Sequence, residues 1–113
     1  MAEDLRPIPL EFWKSPTGRE PTRDWFRDLP DADRLVVGTD LRRVQFGWPI
    51  GMPLVKALGR GLWEVRSTLP SKREARVIFV VGGEIILVLN GFIKKTQKTP
   101  KAELDLAHKR MKE

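Results

Sequence analysis

The chain has 113 residues, with 21 Lys and Arg against 15 Asp and Glu, one His and no Cys. A net charge of +6 and an apolar share of 41% exclude a disordered chain, and the missing cysteines exclude disulfides and thiolate metal sites. A single histidine, His108, leaves no histidine-based metal centre either, so neither a metal nor another cofactor is expected.

The elements follow in chain order. The N-terminus carries Glu3, Asp4 and two prolines, and no basic region and apolar segment of a secretory signal is expected there. Leu10-Glu-Phe-Trp13 predicts a short first strand, and Ser15-Pro-Thr-Gly18 a turn. Pro21 suits the first position of a helix whose apolar face is Trp25, Phe26 and Leu29. Pro30-Asp31 opens a second helix. Its stripe of Val37, Leu41, Val44 and Trp48 has spacings of four, three and four. Gly47, Pro49, Gly51 and Pro53 end it in a loop.

The character then changes. Leu62–Leu69, Ala75–Val81 and Glu84–Ile93 are rich in β-branched and aromatic residues, as strands are. Gly82-Gly83 reads as a two-residue hairpin turn, and Pro70-Ser-Lys-Arg73 as a looser one. Thr99 followed by Pro100 reads as a helix cap, with the final helix running to about Lys112. The expected fold is α+β, in the order β-α-α-β-β-β-α, an antiparallel meander with helices on one side. One domain over residues 1–113 is expected. No apolar run approaches the ~20 residues of a membrane span, so a cytoplasmic protein without membrane contact is expected.

Charge is uneven along the chain. Residues 1–50 carry eight Lys and Arg against nine Asp and Glu, whereas residues 51–113 carry thirteen against six. A basic C-terminal half suggests a polyanionic partner, nucleic acid first, although a solvated basic surface has the same composition.

Strand register sharpens this. A turn centred on Ser71 pairs Arg66 with Arg76. A Gly82-Gly83 turn pairs Val81 with Glu84 and Arg76 with Leu89. Leu89, Gly91, Ile93 and Lys95 would then share the face of Arg76, with Glu64 two residues before Arg66. Two opposed arginines need an anion between them. Either Glu64 supplies it, or the cluster is a phosphate site, because guanidinium grips phosphate with two hydrogen bonds. Lys94-Lys-Thr-Gln-Lys98 extends the groove, and Lys94, Gln97 and Lys98 are candidate RNA-binding residues. Cleaving RNA also requires a base for the 2′-hydroxyl and an acid for the leaving oxygen. The chain has no Tyr, which leaves Glu64, a lysine with lowered pKa such as Lys94 or Lys95, or His108. Among these groups, Arg76 is assigned to the scissile phosphate, Arg66 to sharing that task, and Lys95 to proton transfer or the leaving group.

Three motifs carry a resemblance to a known family. They are Gly61-Leu-Trp-Glu-Val-Arg66, Ala75-Arg-Val-Ile-Phe79, and Leu89-Asn-Gly-Phe-Ile-Lys-Lys-Thr-Gln-Lys-Thr-Pro100, with Ala107 in the last helix. With these the chain resembles the phage-derived, HigB-like branch of the RelE/ParE toxin superfamily, type II toxin–antitoxin toxins. The resemblance runs from the second helix onward. It implies a RelE-like fold, ribosome-dependent and metal-independent mRNA cleavage that inhibits translation, and functional cations at Arg66, Arg76 and Lys95. It also implies a cognate antitoxin, often with a helix-turn-helix domain, and the ribosome and mRNA as further partners. Relatives often carry Tyr where this chain has Trp63 and Ala75. The superfamily also holds gyrase inhibitors of the ParE kind on the same scaffold. That function, and a non-catalytic nucleic-acid-binding module, are the alternatives.

Overall fold

A computed structural model describes residues 6–113. The chain runs β1 (Leu10–Phe12), α1 (Pro21–Arg27), α2 (Asp31–Gly47), β2 (Val55–Gly59), β3 (Leu62–Thr68), β4 (Glu74–Gly82), β5 (Ile85–Ile93) and α3 (Lys101–Met111). This is the mixed α+β order the sequence predicts, with one more strand. That strand, β2, hairpins onto β3 through Gly59-Arg60-Gly61, three successive residues with positive φ. The expected turn-residue signal is there, but the strand is only five residues long and follows directly on a Gly/Pro loop.

The five strands form one sheet in the order β1-β5-β4-β3-β2. The neighbouring pairs from β2 to β5 are antiparallel, and β1 adds a parallel edge to β5. The sheet is therefore mixed rather than a pure meander.

Alternation along β4 distributes the core. Ala75, Val77 and Phe79 face α1 and α2, where they meet Val37, Leu41 and Val44 of the predicted stripe. Ile78 faces the other way, and with Leu62, Leu89 and Phe92 it covers Ala107 of α3, flanked by Leu104 and Met111. Helices thus close both faces, which corrects the one-sided packing expected. The cause is legible in β4 itself. It is buried on both faces at Ala75–Phe79, and it carries the unbroken apolar run Val77–Val81, as a strand with two buried faces does. On the first face, Trp25 of α1 lies so close to β5 that a side chain at Gly91 would sit 2.5 Å from its ring. Among the described residues, no helix is long and apolar enough to cross a membrane.

Register sets what the strands present. Arg66 pairs with Arg76, as the Ser71-centred turn predicts. The β4–β5 turn differs. It closes one position later, with Gly82 paired to Ile85. A bulge then leaves Leu89 without a partner, between the Ile78–Asn90 and Phe79–Val88 pairs. Arg76 therefore faces Phe92, not Leu89. Leu89 stays on the α3 side, but Gly91 and Ile93 turn toward α1 and α2, and Asn90 and Phe92 take the side of Arg76. Lys95 lies beyond the end of β5 and is not placed by strand alternation.

Candidate nucleic-acid interface

Arg66, Arg76 and Phe92 form one row across β3, β4 and β5, at the sheet end where α3 begins. Arg76 sits on a central strand, and its side chain is 3% exposed. A charge withdrawn so far from water requires counter-charges. Its Nη2 lies 3.1 Å from Glu74 Oε1, its Nε 3.7 Å from Glu64 Oε1, and its Nη1 donates to the Ala75 carbonyl at 3.0 Å. Glu64 is buried as well, and its Oε2 accepts the Thr99 hydroxyl at 2.6 Å. Pairing of Arg76 by Glu64, one of the two readings left open by the sequence, is thus realised, with Glu74 as a second carboxylate. Glu74 was not singled out, though it lies two residues before Arg76 on the same strand face and period two could have found it.

Arg66 is held differently. It is half-buried, its Nη1 lies 3.5 Å from Met52 Sδ, and its Nε is buried without a hydrogen-bond partner. Strand β2 begins opposite Val65, so β3 has no strand neighbour on that side at Arg66. The guanidinium lines an open cleft with Asp40, Arg43, Leu54, Thr68 and Glu74. Asp40 is occupied by the Ser67 hydroxyl at 2.7 Å and by Arg43 at 3.4 Å. The arginine pair is thus asymmetric. Arg76 is buried between carboxylates, and Arg66 keeps an unsatisfied donor.

The segment after β5 adds exposed cations. Lys94 is half-buried, and Lys95, Thr96, Gln97 and Lys98 are exposed. The Lys94 N–H donates to the Glu74 carbonyl at 2.7 Å, and a shallow pocket joins Glu74 to Lys94, Lys95 and Gln97. Thr99, expected to cap the last helix, does not: Pro100 holds that position and the Thr99 hydroxyl reaches across to Glu64.

His108 stands apart. It lies in the last turns of α3, nine residues beyond Thr99. Its Nδ1 is buried without a partner. The structure thus gathers Glu64, Arg66, Arg76 and the 94–98 segment, and leaves His108 on a different stretch of α3. No group of three or more His, Cys, Asp or Glu that could hold a metal ion occurs among the described residues.

One charged contact steadies the end of the β3–β4 hairpin. Buried Asp33 of α2 accepts the Ser71 N–H at 3.2 Å and pairs with Arg73 at 3.2 Å. Burial pushes its pKa up, but the Ser71 hydrogen bonds and the Arg73 guanidinium outweigh it and hold the carboxyl below the ordinary aspartate value.

Fold and charge together define the class: a small basic α+β protein that places Arg66, Arg76 and the lysines of the 94–98 segment toward one sheet end. A family profile described as Phage derived protein Gp49-like (DUF891) matches residues 24–112, from within α1 to just past α3. The chain belongs to this Gp49-like family, and membership is compatible with a toxin of the RelE/HigB kind in general. No curated protein matches the chain.

Proposed function

We propose that this protein is the toxin of a type II toxin–antitoxin pair and acts as a ribosome-dependent, metal-independent mRNA endoribonuclease, in one domain and in the cytoplasm. Family membership supports the toxin class. The observation that carries the nuclease reading is the Arg66–Arg76 pair beside the exposed lysines of the 94–98 segment.

In this reading the 2′-hydroxyl attacks the adjacent phosphorus, which leaves a cyclic phosphate and a free 5′-hydroxyl. Arg66, half-buried and lining an open cleft, grips the phosphate. Arg76, fixed between Glu64 and Glu74, is a preorganised charge for the phosphorane oxygens and costs no reorganisation during the reaction. Lys95 serves the leaving oxygen, Glu64 or Lys94 takes the 2′-hydroxyl proton, and Gln97 and Lys98 hold the RNA backbone. His108 takes no part. A cognate antitoxin, the ribosome and mRNA are the partners.

The test is mRNA cleavage on programmed ribosomes. Removing one preorganised charge donor costs on the order of 10²–10³ in rate, so Arg66→Ala should lose that much. Lys101→Ala, whose ammonium is already paired to Asp105 in the first turn of α3, should change little. Full cleavage by a well-folded Arg66→Ala would overturn the site. The neutralisation of Arg76 by two carboxylates favours one second reading, a gyrase inhibitor that binds without chemistry. Loss of DNA supercoiling before loss of translation would move the assignment there.

A further inference from the structure

Thr99 precedes Pro100, the residue at the cap position of α3, and a Thr-Pro pair ahead of a helix reads in sequence as a cap. Its hydroxyl is not spent there. The N–H groups of Glu103 and Leu104 go to the Pro100 carbonyl at 3.0 and 3.2 Å, and no side chain caps α3. The Thr99 hydroxyl instead donates to buried Glu64 at 2.6 Å, shorter than the 3.7 Å between Glu64 and Arg76. A hydrogen bond to a buried carboxylate is among the strong ones, because the acceptor is charged and the medium is poor in water.

The consequence lies in the segment that Thr99 ends. Residues 94–99 are pinned at both ends. At one end the Lys94 N–H is held by the Glu74 carbonyl, and at the other the Thr99 hydroxyl is held by the Glu64 carboxylate. Glu74 and Glu64 are also the two residues whose carboxylates face Arg76. Between the pins, Thr96 closes a small internal turn by donating to the Lys98 carbonyl at 2.7 Å, and Lys95, Gln97 and Lys98 are turned to solvent. The loop and Arg76 are therefore tied to the same two acidic residues, and Arg66 lies opposite Arg76 on the neighbouring strand.

We infer that Thr99 is a positioning residue, which through Glu64 holds the exposed lysines at a fixed distance from the Arg66–Arg76 pair so that both meet one phosphate backbone together. The inference rests on the proposed RNA-directed activity and deepens it. Freed at Thr99, the loop would keep its charge and lose its register. An RNA strand could then be gripped by lysines or arginines, but not by both in reacting geometry.

The test compares Thr99→Val, which keeps the shape and removes the hydroxyl, with Thr99→Ser, which restores it. Three readouts are used: amide hydrogen exchange at residues 95–98, cleavage on programmed ribosomes split into kcat and KM, and thermal unfolding. Thr99→Val should exchange faster at 95–98 and lose about tenfold in kcat, as expected when a group is misplaced rather than deleted, with a smaller change in KM. Thr99→Ser should recover both. Lys95→Ala, which removes a charge and not a pin, should slow cleavage while leaving exchange at the other loop amides as in the parent. Should Thr99→Val fail to fold, Thr99→Ala takes its place. Unchanged exchange, or unchanged kcat despite faster exchange, overturns the inference, and so does loss of global stability with no change specific to the loop. A parent protein that leaves mRNA intact overturns the nuclease reading instead, and loop exchange still decides whether Thr99 is a pin.

Discussion

Under α1 and α2 the sheet is closed by Val55, Val65, Val77, Phe79 and Val88, whereas under α3 the apolar patch of Leu62, Ile78, Leu89 and Phe92 gives way to Glu64 and Arg76. The first face gains stability from area removed from water. The second buries a guanidinium and a carboxylate, and the desolvation of both consumes most of what their attraction returns. The sheet end where charge is buried is also the end where Arg66 and the 94–98 lysines gather. Stability and candidate chemistry are thus separated by the thickness of one sheet.

The sharpest way to break this comparison is a pair of substitutions of similar cost and different cause. Phe79→Ala, at a fully buried ring, should cost about 3–5 kcal/mol through lost burial and an unfilled cavity. Arg76→Ala should cost about as much, because it leaves Glu64 buried without a counter-charge. The two part company on rescue. An Arg76→Met, Glu64→Gln double variant removes both charges and should recover much of the loss in urea unfolding, whereas no charge change rescues Phe79→Ala. A double variant as unstable as Arg76→Ala alone would show that Arg76 stabilises by packing, and the two faces would be alike. The same costs make Arg66→Ala, rather than Arg76→Ala, the cleaner probe of activity.

The next effect lies on the α1 side of β5. A Cβ at Gly91 would stand 2.5, 2.7 and 3.1 Å from three carbons of the Trp25 ring, so Gly91→Ala must displace that ring from its seat on the sheet. Overpacking of this kind costs about 1–3 kcal/mol. Gly82→Ala, with nothing within 4 Å, should cost less. Urea midpoints compare them, and equal midpoints would mean that Trp25 yields freely and that the apolar face is looser than its burial implies.

Two neighbouring hairpins show how much was legible beforehand. Around Ser71 the loop contains no extra residue and β3 pairs with β4 without a bulge, so counting from the turn places Arg66 against Arg76. Around Gly83 the count slips twice, once because the turn sits at Gly83-Glu84 and once at the bulge beside Leu89. Each slip is local, and residue types do not announce a bulge, yet together they move the partner of Arg76 by three positions. The helical stripe of α2 was legible because three buried residues on one face suffice to define it. The Thr99–Glu64 contact was not, since a Thr-Pro pair before a helix reads locally as a cap and its partner lies 35 residues away. The candidate cations were legible as a basic half of the chain. The neutralisation of Arg76 by Glu64 and Glu74 depends on where β3 and β4 place those carboxylates.

The smallest expected effect concerns the hairpin's tie to α2, and it appears as a pH dependence. Asp33 is almost fully buried, and Ser71 and Arg73 hold its carboxyl below the ordinary aspartate value despite the opposing effect of burial. A carboxyl that is more acidic when folded binds its proton less readily in the folded state than in the unfolded one. Its contribution is therefore complete above the unfolded pKa, near 4, and is lost as pH falls through the lower folded value. Asp33→Asn cannot titrate. The stability difference between the parent and Asp33→Asn should stay constant above about pH 5 and shrink below about pH 4, as read from urea unfolding at each pH. A difference that holds its full size down to pH 2 would mean that Asp33 acts through neutral hydrogen bonds, which an asparagine can partly reproduce. The β3–β4 turn would then be fastened to α2 without the help of charge, unlike Arg76 on the opposite face, which is held between two carboxylates.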